Sequence, residues 1–217
     1  MPFADLLMTA WLVAVLPAIM LARSLAARGR PPGGDRVRRY QRTLRLVAGS
    51  LLALAALWIA GRRPVAWLGL GVPDRTGLIL LGLAVGAIAT LAIVAPHARK
   101  PTDPARAAAA ALMMPRGARE VRWFVAFAVV VGAGWELLYR GYLFWLLAPL
   151  LGPAGAVAVM AVSYGVAHGW RGIGALAGSI AAALFFAGGY ALTGTLWWLI
   201  VLHVGLPLIG LRVRPAT

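Results

Sequence analysis

The sequence predicts an all-α membrane protein, a polytopic bundle of about seven transmembrane helices in a single membrane domain. Three observations predict it. The chain of 217 residues is 62% hydrophobic and only 12% charged, with a mean hydropathy of +0.84. Several apolar runs reach roughly 20 residues, about the length that crosses a bilayer as a helix. The basic residues are concentrated in the segments between these runs, as in proteins that cross a membrane repeatedly.

The apolar runs place the spans in order along the chain. The predicted spans cover residues 5–22, 44–60, 77–95, 122–147, 154–169, 172–190 and 195–211. Polar loops 23–43 and 96–121 carry most of the positive charge, whereas loop 61–76 carries less. Because basic loops stay in the cytoplasm, we expect the N-terminus outside and the C-terminus inside.

One predicted span is too long for a single crossing. The stretch from Arg122 to Pro149 would be about 40 Å long at 1.5 Å per residue, against a hydrocarbon core of about 30 Å. Gly132 and Gly134 are the candidate positions for a break in this helix.

The formal net charge of +15 raises the question of a nucleic-acid partner. Its distribution argues against one, because the arginines alternate with apolar runs in the positive-inside pattern. Membrane lipid, with anionic headgroups, is the expected partner of this charge. The basic residues in or bordering the two charged loops are Arg23, Arg28, Arg30, Arg36, Arg38, Arg39, Arg42, Arg45, Arg99, Lys100, Arg106, Arg116, Arg119 and Arg122, and Arg212 and Arg214 follow in the tail. The chain has no cysteine, which excludes disulfides and thiolate chemistry.

Glu136 is the one carboxylate that the sequence places within a long apolar stretch. The other acidic residues lie near the N-terminus or in polar segments. A charge at bilayer depth costs several kcal/mol and is usually functional. Arg140 follows four residues later, so the two side chains share a helix face and can pair.

Two histidines lie in or next to spans of the same half of the chain. His168 follows Tyr164 by four residues, and His203 lies within the last apolar run. A buried glutamate can act as a general base toward water. One carboxylate and two histidines also form a known ligand set for catalytic zinc, so a divalent metal is a candidate cofactor with Glu136, His168 and His203 as its ligands. Structural roles are the alternatives: an ion pair for Glu136 and Arg140, an interfacial position for His168, and a backbone hydrogen bond for His203.

Three segments resemble the motifs of the CAAX-protease and bacteriocin-processing (CPBP) intramembrane endopeptidases. Residues 136–141, Glu-Leu-Leu-Tyr-Arg-Gly, resemble the first motif, Glu-Glu-x-x-x-Arg-Gly. Residues 164–168, Tyr-Gly-Val-Ala-His, resemble the second, Phe-x-x-x-His. The segment from Thr193 to His203 resembles the third region, which ends in His-x-x-x-Asn or a variant. The resemblance covers residues 121–211, and residues 1–120 resemble the family only as generic helices and basic loops.

The resemblance implies an integral, multi-pass protease of a bacterial inner membrane. It implies a peptide or a lipidated, membrane-anchored protein as the substrate, cleaved by water that a glutamate activates. Glu136 and Arg140 match the second glutamate and the arginine of the first motif, and His168 and His203 take the second-motif and third-motif roles.

Two positions depart from the family pattern. Trp135 stands at the first glutamate of the first motif, and Pro207 stands at the third-motif asparagine. These departures keep open a second reading, a catalytically inactive relative that acts as a membrane scaffold or immunity protein. A third reading is a proton-coupled transporter that uses Glu136 and the histidines as a relay, although the sequence shows no repeated half with paired broken helices.

Overall fold

The computed structural model describes residues 2–28, 35–97 and 113–212, and this part of the chain is helical without β-strands. The all-α prediction is therefore confirmed. The elements are α1 (Phe3–Ala26, with a π-helical turn at Trp11–Val15), α2 (Arg36–Ala60), a 3₁₀ turn (Val65–Leu68), α3 (Arg75–Val94, extended by a 3₁₀ turn at Ala95–His97), α4 (Ala118–Trp135), a π-helical segment (Glu136–Leu143), α5 (Phe144–Ala167), α6 (Ile173–Thr193) and α7 (Trp197–Ile209). The basic residues Arg30, Arg99, Lys100, Arg106 and Arg214 lie outside the described residues.

Five described helices are long and apolar enough to cross a membrane. They are Phe3–Ala26, Arg36–Ala60, Arg75–His97, Ala118–Ala167 and Ile173–Thr193. The count of seven spans is not confirmed. α7 is an apolar helix of 13 residues, which is about 20 Å long at 1.5 Å per residue and shorter than a bilayer core.

The predicted loop 23–43 is wrong in its second half, because α2 begins at Arg36. The Asp35 carboxylate accepts a hydrogen bond from the Val37 backbone N–H at 2.9 Å, the interaction by which aspartate caps a helix start. Arginine is also a good helix former. A polar, arginine-rich segment therefore extends the helix beyond its apolar part.

The predicted break at Gly132 or Gly134 is also wrong, because α4 continues through both glycines to Trp135. The chain breaks at Gly152, between the predicted spans 122–147 and 154–169, where φ is +71° and ψ is 164°. Pro153 follows, and the residue before a proline is disfavoured in the helical region. Glycine adopts the positive φ without steric cost, so the helix stops there and restarts at the proline.

The described residues belong to two compact units. The first comprises residues 1–31, 50–73 and 135–196, and the second comprises residues 32–49, 74–134 and 197–217. In the first unit α5 packs against α6, and Gly165 lies close to the α6 backbone. In the second unit α3 packs against α7, where Gly205 faces the Ile88 side chain. Glycine allows such close helix approach in membrane proteins.

Gly165→Ala tests the α5–α6 approach. A Cβ at this position would lie 3.0 Å from the Ile180 Cα and 3.1 Å from its N. Overpacking against backbone costs about 1–3 kcal/mol, so we expect a lower melting temperature in detergent. Gly178→Ala on α6 is the matched control, because no atom lies within 4 Å of its added Cβ. Equal melting temperatures for the two variants would contradict the packing described.

Candidate functional site

The segment with the first-motif resemblance is a π-helix of eight residues, Glu136–Leu143. π-helical turns are rare and are frequently found at functional sites. Glu136 is its first residue, so the hydrogen-bonding pattern of the helix changes at the carboxylate itself. Gly141 brings this segment close to the 3₁₀ turn, because an added Cβ would lie 2.9 Å from the Leu68 carbonyl oxygen.

Glu136 and Arg140 form a buried ion pair in this segment. The Arg140 Nη1 lies 3.5 Å from the Glu136 Oε1, and the two residues are 0% and 1% exposed. The pairing predicted from the four-residue spacing is present. Burial strengthens the attraction because water does not screen it, but it also removes the hydration of both charges.

Arg140 joins three elements of the first unit. Its guanidinium carbon lies 4.3 Å from the ring centroid of Tyr164 on α5 and 5.7 Å from that of Phe186 on α6. Cation–π contacts of this kind are stronger when the cation is desolvated. The arginine therefore ties the π-segment to both helices that pack beside it.

His168 is held by the same tyrosine. It ends α5, its Nδ1 lies 2.9 Å from the Tyr164 carbonyl oxygen, and its ring packs edge-on against the Tyr164 ring at 4.6 Å between centroids. The His168 side chain is exposed whereas Tyr164 is buried. Tyr164 thus links Arg140 to His168, a role that the sequence suggested only through its spacing before the histidine.

Trp135, at the position of the first motif glutamate, belongs to an aromatic cluster. Its ring centroid lies 5.7 Å from that of Tyr139 and 6.4 Å from that of Tyr164. Tyr139 and Tyr164 are themselves 5.1 Å apart. Trp135 and the Glu136–Arg140 pair therefore both border Tyr164, although the tryptophan and the glutamate are consecutive in the chain.

His203 lies on α7 in the second unit. A Cβ added at Gly132 would lie 3.2 Å from the His203 carbonyl oxygen, so α4 approaches α7 closely at this residue. Pro207, four residues later, has no N–H to donate to that carbonyl. The structure thus groups Glu136, Arg140 and His168 in the first unit and describes His203 with the second.

The π-segment is anchored to α1 by Tyr139, which the sequence did not single out. Its hydroxyl donates to the Leu12 carbonyl at 2.8 Å. In α1 the Leu16 N–H bonds to the Trp11 carbonyl, one residue further back than in an α-helix. Pro17 has no N–H, so the helix itself supplies no donor for the Leu12 carbonyl. Tyr139 therefore supplies the hydrogen-bond donor that the Leu12 carbonyl lacks within its own helix.

A second anchor lies at Asp5, which the sequence placed near the N-terminus at the start of the first predicted span. The structure buries Asp5 inside α1 at 1% exposure. Arg63 donates to its two carboxylate oxygens at 2.8 and 2.6 Å, and the Tyr142 hydroxyl donates to its backbone carbonyl at 3.0 Å. The hydrogen bonds to Asp5 raise the pKa of Arg63 above its ordinary value. The middle and the C-terminal end of the motif segment are thereby fixed to α1.

The described residues contain no group of three His, Asp or Glu side chains placed to hold a metal ion. Glu136 is engaged with Arg140, and the Nδ1 of His168 is engaged with a backbone carbonyl. A divalent metal held by Glu136, His168 and His203 therefore stays a prediction from the sequence.

Fold and geometry define the class of protein: an all-helical membrane protein with a buried glutamate–arginine pair on a π-helical segment. Residues 117–209 match the family model described as type II CAAX prenyl endopeptidase Rce1-like. The chain thus carries a Rce1-like region, which confirms the CPBP resemblance and supports its assignment as a protease. No curated protein and no solved structure matches the chain.

Tyr139→Phe tests the anchor between the π-segment and α1. The variant leaves the Leu12 carbonyl without its donor, and an unsatisfied buried polar group costs about 1–3 kcal/mol. We expect the free energy of unfolding in detergent to fall by that amount. Tyr190→Phe is the matched control, since Tyr190 is also buried and its hydroxyl makes no hydrogen bond within the described residues. An equal effect of the two substitutions would argue against the anchor.

Proposed function

We propose that this protein is an intramembrane endopeptidase of the CAAX type, in which Glu136 activates the hydrolytic water. The observation that carries the proposal is the position of Glu136. It is fully buried, it begins a π-helical segment, and it is paired with Arg140 inside the Rce1-like region. A structural ion pair requires neither the π-helix nor this family context.

The proposed reaction is hydrolysis of one peptide bond. The Glu136 carboxylate accepts a proton from water as the water oxygen bonds to the carbonyl carbon, which gives a tetrahedral oxyanion. The C–N bond then breaks, and the proton passes from Glu136 to the departing amine. A carboxylate base of this kind contributes about 10²–10⁴-fold in rate.

Arg140 is suited to stabilise the oxyanion. Its Nε and Nη1 make no hydrogen bond within the described residues, although Nη1 lies 3.5 Å from the Glu136 Oε1. The guanidinium is fixed between Glu136, Tyr164 and Phe186. Fixed donors in a site from which water is excluded stabilise developing negative charge strongly. Engagement of the oxyanion would also loosen the hold of Arg140 on Glu136 as the glutamate takes its proton.

The histidines have supporting roles in the proposal. Since a carbonyl oxygen accepts from the Nδ1 of His168, that nitrogen carries the proton and Nε2 is the acceptor nitrogen of the neutral ring. His168 then serves to orient water or substrate from the exposed end of α5. His203 takes the third-motif role on the strength of the family resemblance. No step is assigned to a metal.

The proposed substrate is a peptide delivered by the membrane: a prenylated or otherwise lipidated tail, a leader, or a sorting segment. A polytopic helical protein meets such a substrate within the bilayer, and the Rce1-like match implies a membrane-associated peptide or protein. We place the protein in a bacterial inner membrane, with the basic segments on the cytoplasmic side.

A second candidate function is that of a catalytically inactive scaffold. It is favoured by Trp135, whose ring packs with Tyr139 and Tyr164 at the position of the family's first glutamate. It is also favoured by Pro207, which offers no side-chain donor at the third-motif asparagine. In this reading the Glu136–Arg140 pair serves folding alone.

Glu136→Gln separates the two candidates. With purified protein in proteoliposomes and a set of lipidated and leader peptides, we expect cleavage to fall by about 10²–10⁴-fold because the base is lost. Glu120→Gln is the control, because it makes the same chemical change outside the site. Glu120 lies in the second unit, where it pairs with Arg36 at 3.9 Å. Melting temperatures of all variants distinguish lost chemistry from lost folding.

Folded Glu136→Gln protein that cleaves at the parental rate would exclude Glu136 as the base. A parent that cleaves none of the peptides, together with a Glu136→Gln variant that keeps its cellular function, would establish the scaffold reading instead.

A further inference from the structure

An apolar groove lies on the first unit between α1 and α5, apart from the Glu136–Arg140 pair. It has a volume of about 610 Å³ and is lined by residues of the two helices from Val13 to Leu21 and from Ala158 to Val166. Its size falls within the range of about 300–1,000 Å³ that is usual for small-molecule sites.

The groove offers an occupant apolar contact and no hydrogen bonds. Ser163 is the one polar side chain among the lining residues, and its hydroxyl already donates to the Val159 carbonyl at 2.7 Å. A peptide backbone at this depth would leave its N–H and C=O groups unsatisfied, at several kcal/mol each. A hydrocarbon chain has no such groups and therefore fits this lining.

At one end of the groove, a polar contact joins the C-terminal end of α1 to the residues that follow α5. These residues form the polar rim of the groove. One turn beyond Leu21, the Ser24 hydroxyl accepts from the Trp170 backbone N–H at 2.6 Å. Gly169, with φ of +74°, allows this approach, since an added Cβ would lie 2.9 Å from the Ser24 Cβ. The C-terminal ends of α1 and α5 are thus joined just where the apolar lining stops.

Three basic residues lie near this contact in the sequence. Arg23, Arg28 and Arg171 flank Ser24 and Trp170 in sequence, and all three are exposed. Residues 6–28 and 144–193, which supply the groove and its rim, contain no Asp or Glu. Basic residues near a bilayer surface attract anionic lipid headgroups.

We propose that this groove is a binding site for an anionic phospholipid, with an acyl chain between α1 and α5 and the phosphate-bearing headgroup at Arg23, Arg28 and Arg171. The apolar lining selects a hydrocarbon chain, and the three arginines select a negative headgroup over a zwitterionic one. The site binds lipid whether or not the protein cleaves peptides, so it stands independently of the proposed function.

Native mass spectrometry of the purified protein tests this site. The protein is delipidated in detergent and then given phosphatidylglycerol and phosphatidylethanolamine with identical acyl chains in equal amounts. We expect the parent to retain one phosphatidylglycerol with at least a tenfold preference. The rim variant R23Q/R28Q/R171Q should lose this preference, and Ala18→Phe, which adds bulk at an exposed position in the groove, should lower retention of phosphatidylglycerol at least fivefold.

The matched control is R38Q/R42Q/R45Q, which removes three exposed arginines of α2 and should keep the parental preference. Equal retention of the two lipids by the parent would overturn the proposal. So would an equal loss in the rim variant and its control, which would mean diffuse attraction by net charge. Retention unchanged by Ala18→Phe, or a parent that takes up a farnesylated peptide in place of phospholipid, would also overturn it. The rim variants change only exposed side chains, so they test the site even if Ala18→Phe fails to fold.

Discussion

The buried ion pair between Glu136 and Arg140 is the interaction on which the site depends. Neither residue is exposed by more than 1%, so each charge would be very costly without the other. The pair also determines what lies around it, because the Arg140 guanidinium packs on Tyr164 of α5 and Phe186 of α6. A single charged contact thereby holds the π-segment, α5 and α6 in one arrangement, and any chemistry at Glu136 must operate against this constraint.

The π-helical turn of α1 and the π-segment of the motif are in direct contact. The π-turn of α1 leaves the Leu12 carbonyl without a helical donor, since Pro17 has no N–H. Tyr139, from the motif segment, supplies that donor. Tyr142, three residues later, bonds to Asp5, which Arg63 holds by two hydrogen bonds. An irregular helix is costly because some of its backbone N–H and C=O groups lack hydrogen-bond partners. Here a tyrosine of the motif segment supplies the missing donor.

Hydrophobic runs were sufficient to predict an all-helical membrane protein, and the four-residue spacing was sufficient to predict the Glu136–Arg140 pair. The π-segment was not predictable, because it alters which backbone groups bond to each other and leaves the apolar pattern unchanged. The contacts of Tyr139 and Asp5 that anchor the π-segment to α1 were not predictable for another reason. Tyr139 and Leu12 are 127 residues apart and Arg63 and Asp5 are 58 apart, and no local pattern marks such partners. The break at Gly152 lies between the predicted spans 122–147 and 154–169. The additional break expected at Gly132 or Gly134 rested on helix length alone, and the helix continues through both glycines.

A double-mutant cycle on the ion pair tests the central claim most directly. The free energy of unfolding is measured in detergent for the parent, Glu136→Gln, Arg140→Gln and the double variant. Removal of one partner of a buried pair costs about 3–5 kcal/mol, so Arg140→Gln should be severely destabilised, and the double variant should lose at least 1 kcal/mol less than the sum of the single losses. Losses that add within about 0.5 kcal/mol, the behaviour of independent sites, would contradict the claim that this pair holds the site together.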